Sequence, residues 1–167
     1  MQISTEAIKT LREKCGAGVM DCRNALLECQ GNEDKALEVL KEKGFRKAAN
    51  KAQRETSEGL IEAYVHTGGR VGAIVEINCE TDFVALTDEF KKLAHELAMQ
   101  VAAMCPKYLT KEELPDDEEI APEAACLLLQ PYIRDPSKTV NDLIVEAIAR
   151  TGENIRLKRF ARFELGG

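Results

Sequence analysis

Hydrophobic positions along the chain change period twice, and the changes mark out three stretches. Over residues 3–44 apolar side chains recur at helical spacing. Ile8, Leu11 and Cys15 form a first stripe, which Gly16-Ala17-Gly18 breaks. Val19, Cys22, Ala25, Leu26 and Cys29 form a second, ended by Gly31. Asn32 is placed to cap a third helix. Glu33 and Asp34 sit in its first turn, Ala36, Leu37 and Leu40 on its inner face, Lys41 and Lys43 near its end, and Gly44 past it. Residues 1–45 therefore read as a compact domain of three short helices. Residues 46–58, RKAANKAQRETSE, lack such a stripe and read as a basic helical linker, exposed on most sides. No aromatic residue interleaves with Arg46, Lys47, Lys51 and Arg54, so a solvated spacer is a better reading than a nucleic-acid patch.

From Gly59 the period becomes two. LIEAYV and VGAIVEIN read as strands of a hairpin closed by His66-Thr67-Gly68-Gly69-Arg70. After the stretch NCETDFVAL, Thr87 is placed to cap a long helix. Phe90, Leu93, Ala94, Leu97, Val101 and Met104 make its buried face, and Pro106 stops it. Lys107 to Glu123 carries seven acids against two lysines, with Pro115 and Pro122, and reads as an exposed connection. ACLLLQPYI returns to the core. Thr139 and Asp142 make a capping-box pattern for a helix with Leu143, Ile144, Ala147 and Ile148 inward and Gly152 at its end. NIRLKRFARFEL reads as a last strand, with Arg156, Lys158 and Arg162 on one face and Phe160 between them. Residues 59–167 are then an α+β domain: a three-stranded antiparallel sheet covered by helices.

Composition narrows the class. The chain has 167 residues, 44% hydrophobic and 31% charged, as a folded water-soluble protein has. No apolar run approaches the roughly 20 residues that span a bilayer. Met1-Gln2-Ile3-Ser4-Thr5-Glu6 lacks the basic and apolar regions of a leader, so the expected location is the cytoplasm, with no membrane partner. A net charge of −6 weighs against direct nucleic-acid binding.

Candidate chemistry is sparse. Six cysteines stand at 15, 22, 29, 79, 105 and 126 with no CxxC pair, and read as reduced thiols packed as small hydrophobes rather than as zinc or redox centres. The chain has neither a GxxxxGK[ST] phosphate loop nor an HExxH pattern. His95 falls off the apolar stripe and reads as a surface residue; His66 falls in the hairpin turn. Two weaker readings remain: a thiol enzyme using Cys79 with His66, and a cation site of Glu80, Asp82 and Asp88. Asp88 is already accounted for as a helix first-turn acid.

NCETDFVAL poses a sharper problem. It sets the acid Asp82 beside the ring of Phe83 on one short turn. Burying such a ring gains about 1.5–3 kcal/mol, while an unpartnered carboxylate resists burial. One solution caps the local core with Phe83 and lets Asp82 hold the turn; the other buries Phe83 in a partner.

RVGAIVEINCETDFVAL, together with LREKCGAGVMDCRNALLECQGNEDKALEVLKEKG, QPYIRDPSKTV and GENIRLKRFARFELG, resembles the bacterial elongation factor Ts family over nearly the whole chain. These are nucleotide-exchange factors for the GTPase elongation factor Tu. The resemblance implies that residues 1–45 form a ubiquitin-associated-like domain. It also implies that the Thr81-Asp82-Phe83-Val84 loop enters the partner near its magnesium and phosphate site and promotes GDP release. Val19, Met20 and Arg23 would dock the N-terminal domain, with Arg23 where many members have lysine. His66 matches a histidine that faces the partner in long-form members. The implied partner is elongation factor Tu, GDP-bound and nucleotide-free. The implied activity is exchange without covalent chemistry or a cofactor of its own. An adaptor that uses the three helices to bind a ubiquitin-like or helical partner is the alternative. The chain has one core unit, as in the short form of the family, which favours a homodimer over a monomer. Short-form members also carry a helical excursion where this chain, between Leu114 and Leu127, has only the acidic connection.

Overall fold

The computed structural model describes residues 3–167; Met1 and Gln2, the start of the segment read for a leader, lie outside the described residues. The chain divides into two compact units. One runs up to Arg54 and takes in Val145–Asn154; the other holds Glu55–Ile144 and Ile155–Gly167.

In the first unit, α1 (Thr5–Cys15), α2 (Val19–Glu28) and α3 (Glu33–Lys51) pack together. Ser4 caps α1 by accepting from the Ala7 N–H at 3.1 Å, and Asn32 caps α3 by accepting from the Lys35 N–H at 3.0 Å. Gly16, at φ 67°, ends α1 with its N–H on the Arg12 carbonyl at 2.7 Å. Leu11, Cys22, Ala25, Leu26, Ala36 and Leu40 are the core, with Ile8, Cys15, Cys29 and Leu37 packed half-buried around it. The third helix does not stop at Gly44. It runs on to Lys51, through six residues of the segment read as a separate linker. A glycine inside a helix costs about 1 kcal/mol against alanine, but Gly44 is buried, with a Val145 methyl 3.5 Å from where a Cβ would sit.

The second unit is built on β1 (Glu58–Val65), β2 (Val71–Cys79) and β5 (Ile155–Glu164), antiparallel in the order β1-β2-β5. The hairpin closes with the His66 N–H on the Val71 carbonyl at 2.8 Å. One face of the sheet carries Ala73, Val75, Ile77, Cys79, Ile155 and Leu157, all buried. It is covered by α5 (Asp88–Met104), which buries Phe90, Leu93, Ala94, Leu97 and Val101. Met104, expected on that face, is 43% exposed in the last turn. The short turn α4 (Asp82–Ala85) joins β2 to α5.

Between Met104 and β5 lie α6 (Pro122–Ala125), a small hairpin of β3 (Pro131–Tyr132) and β4 (Asp135–Thr139), and α7 (Val140–Thr151). The capping box forms reciprocally: the Thr139 N–H donates to Asp142 Oδ2 at 2.8 Å, and the Asp142 N–H to Thr139 Oγ1 at 3.2 Å.

The last strand departs from its expected alternation. Glu76 pairs with Arg159 but the next residue, Ile77, pairs with Leu157, so Lys158 is the extra residue of a β-bulge. Past it the sides exchange. Arg162 lies on the helix side, its Nε donating to the Ala102 carbonyl of α5 at 3.0 Å, while Lys158 and Arg159 pair with Glu76 at 3.1 and 2.6 Å. Arg156, Lys158 and Arg162 therefore do not share a face.

Two glycines should respond oppositely to alanine. Gly44→Ala places a methyl in ordinary contact with Val145 and should raise the unfolding free energy by about 0.5–1 kcal/mol. At Gly59, φ is 148° and a Cβ would meet the Ile77 carbonyl oxygen at 2.1 Å. Gly59→Ala should cost at least about 2 kcal/mol. Denaturant unfolding of the two variants checks both.

Candidate functional site

The NCETDFVAL turn is held from both sides. Cys79, buried at the end of β2, donates its Sγ to the Thr81 carbonyl at 3.1 Å. Thr81 caps α4, and Thr87 caps α5 while its hydroxyl donates to the Val84 carbonyl at 2.7 Å. In so short a helix only one side can face inward, and Ala85 takes it at 7% exposure. Phe83 and Leu86, three residues apart and so on a common side, are left 80% and 67% exposed. Asp82 is exposed and Val84 half-buried. The ring thus stands outward on a fixed turn beside a second apolar side chain. The local-core placement of Phe83 is not what the fold adopts; Phe90 fills the interior instead, at 1% exposure. Leu86 escaped the sequence reading, although its spacing from Phe83 and its absence from the α5 stripe both marked it.

His66 lies at the other end of the same hairpin. The register pairs Glu58 with Cys79 and Val65 with Gly72, so about seven residue steps, or roughly 23 Å, separate His66 from Cys79 and the Phe83 turn. The Cys79–His66 thiol pair is therefore not assembled. His66 Nδ1 instead meets the Tyr64 hydroxyl at 3.0 Å; the Tyr64 ring stands edge-on to His95 at 5.5 Å; and His95 Nδ1 meets Glu62 Oε1 at 2.9 Å. His95 is exposed, as its place off the stripe implied. Glu80, Asp82 and Asp88 do not converge: among the described residues no three His, Cys, Asp or Glu side chains are grouped to hold a metal ion.

In the first unit, Val19 and Met20 open α2 just after Gly18 and are 49% and 61% exposed; Arg23 is exposed one turn on. Val19 was expected on the inner stripe, but as the first residue of the helix it stays 49% exposed while Cys22, Ala25 and Leu26 are buried. Leu27, 39% exposed, prolongs the line of Met20 and Arg23 at the spacing i, i+3, i+7.

The face of the sheet opposite α5 is also apolar and open. The register sets Ala63, Ile74 and Ala161 in one row and Val65, Gly72 and Phe163 in the next. Ile61, Val65, Ile74 and Phe163 are 67%, 66%, 44% and 66% exposed. Glu76 borders the patch; hydrogen bonds from Lys158 and Arg159 hold its carboxyl below the usual carboxylate range. Among the described residues no helix is long and apolar enough to cross a membrane.

A profile of the family described as Elongation factor TS matches residues 30–124. Elongation factor Ts of Caldanaerobacter subterraneus subsp. tengcongensis is 49% identical over 194 residues, covering 98% of this chain and 97% of that protein. Elongation factor Ts of Thermotoga neapolitana is also 49% identical, over 99% of this chain and 98% of its own length. That of Carboxydothermus hydrogenoformans is 46% identical, over 98% and 89%. Alignments of 194 residues exceed the 167 of this chain, so the relatives carry residues that it lacks. Matched at such identity along almost its entire length, the chain belongs to the elongation factor Ts family.

Proposed function

We propose that the chain is a guanine-nucleotide exchange factor for elongation factor Tu in translation elongation. In this reading it acts in the cytoplasm, without covalent chemistry or a cofactor of its own. The observation that carries the reading is the exposure of Phe83 on a turn fastened at both ends. A ring left in water forgoes about 1.5–3 kcal/mol of burial, and a partner cavity recovers it. Phe83, with Thr81, Asp82 and Val84 around it, enters the GTPase beside its magnesium and phosphate site and stabilises a nucleotide-poor conformation. Val19, Met20 and Arg23 dock the N-terminal helices, residues 1–45, on the nucleotide domain. The segment 46–58 leads to the core of residues 59–167, whose His66 touches the partner away from the Phe83 turn. Linkage makes the coupling reciprocal: a factor that weakens GDP binding is itself weakened by GDP to the same extent.

The open sheet face favours a second copy of the chain as a further partner. A two-fold axis near Ile74 would stack one apolar face on the other and supply two Phe83 turns per assembly.

Stopped-flow release of a fluorescent GDP analogue from elongation factor Tu tests the first reading. The protein should accelerate release. Phe83→Ala should slow the accelerated rate at least tenfold, about 1.4 kcal/mol, while changing unfolding by no more than about 0.5 kcal/mol. Normal exchange by Phe83→Ala would sink the wedge. Met20→Ala with Arg23→Ala should weaken binding to nucleotide-free elongation factor Tu by roughly tenfold; unchanged affinity would assign the three helices another role. For the dimer, light scattering should give twice the 18.5 kDa chain mass, reverting to one chain mass in Ile74→Asp. A wild-type protein at one chain mass with full exchange activity would show that one core suffices.

A further inference from the structure

The first unit brings two thiols into contact. Cys15 is the last residue of α1 and Cys22 lies in the first turns of α2, and their sulfurs are 3.9 Å apart across the Gly16-Ala17-Gly18 turn. Cys22 is fully buried and Cys15 half-buried. One thiol thus reaches solvent and the other waits directly behind it, as in a peroxidatic and resolving pair. We propose that Cys15 and Cys22 form a reversible dithiol–disulfide site, oxidised by hydrogen peroxide, whose closure fastens the turn that presents Val19, Met20 and Arg23.

The chemistry balances as follows. The Cys15 thiolate attacks one peroxide oxygen; the O–O bond breaks, and Cys15 becomes a sulfenic acid as hydroxide leaves. Cys22, as thiolate, then attacks the Cys15 sulfur; the S–S bond forms, the S–O bond breaks, and a second hydroxide departs. With the two thiol protons, the products are the disulfide and two waters, and the two electrons lost by the sulfurs reduce the peroxide. Forming the bond, about 2.05 Å long, requires the sulfurs to approach by nearly half their separation. The intervening turn supplies that freedom: Gly16 is at φ 67° and Gly18 carries no side chain. Burial, then the neighbouring Cys15, pushes the Cys22 thiol up to about 11, so its thiolate is scarce at neutral pH and rising pH favours closure.

The test uses the whole chain, reduced and then treated with stoichiometric hydrogen peroxide, blocked with an alkylating agent and mapped by mass spectrometry without reduction. The expected product is a Cys15–Cys22 cross-linked peptide pair, two hydrogens lighter than the dithiol. Dithiothreitol should reverse it. Its rate of formation should rise with pH between neutral pH and about pH 9, because both steps use a thiolate. The melting temperature of the oxidised protein should exceed that of the reduced one, because the cross-link restricts the unfolded chain. Cys15→Ser, at a half-buried helix end, should keep the fold, abolish the cross-link and leave Cys22 unoxidised. Conversion of Cys15 to sulfinic acid with no cross-link, pairing of either thiol with Cys29 or another chain, or a cross-link that forms only in denaturant would overturn the proposal and leave two merely packed thiols.

Discussion

Phe90, Leu97 and Val101 of α5 turn toward the sheet face that carries Val75, Ile77 and Cys79 of β2, and all six are buried. Each large side chain so removed from water contributes about 1.5–3 kcal/mol, and most other placements in the second unit follow from this packing. It makes β2 the central strand, with an interior side and an open side. It draws the chain sharply from β2 into α5, so that the intervening α4 has room to send only Ala85 inward. Phe83 and Leu86 then have no interior left to enter. The exposed ring is a consequence of a core already filled by Phe90.

The same helix also carries polar groups into the interior, and these fasten the segment after the acidic connection. Gln100 donates to Gln130 Oε1 at 3.2 Å and to the Pro131 carbonyl at 3.1 Å, and accepts from the Ile133 N–H at 3.0 Å. Gln130 in turn donates to the Ala124 carbonyl at 2.8 Å. One turn earlier Glu96 accepts from the Tyr132 hydroxyl and pairs with Arg134 at 3.0 Å. Burial, then that bond to Glu96, pushes the Tyr132 hydroxyl up, so the phenol stays a donor at any physiological pH. Buried amides cost stability unless satisfied, and here a few side chains satisfy one another and the irregular backbone together. A segment with little regular structure is thereby held against the helix.

The two ends of the hairpin divide the candidate contacts of the second unit. The Phe83 turn stands at the Cys79 end and His66 at the other, so a partner touching both must extend along most of the hairpin. That separation suits a macromolecular surface far better than a small-molecule site, and it removes the thiol–imidazole pair as a catalytic centre. Apolar and polar groups are instead set at a distance from one another along the hairpin, and capped turns hold the Phe83 end.

Much of this was legible in the chain. The three N-terminal stripes, the glycine-closed hairpin, the Thr139–Asp142 box, the α5 face and the Asp82–Phe83 turn all depend on residues within a few positions of one another. Capping and periodicity act over that range, and so they are written locally. The roles proposed for Val19, Met20, Arg23, His66 and the Thr81–Val84 loop came from family resemblance and not from spacing. What the sequence did not reveal depends on residues far apart in the chain. Gly44 reads as a helix stop until Val145 is brought against it. Lys158 reads as one more alternating residue until pairing with β2 makes it a bulge and sends Arg162 to the helix side. Phe83 reads from its own neighbourhood as a local core residue or as an exposed ring, because the local pattern is the same either way. Only the prior occupation of the interior by α5 decided its direction, for a side chain's exposure is set by the space its neighbours leave and not by the residues beside it in the chain.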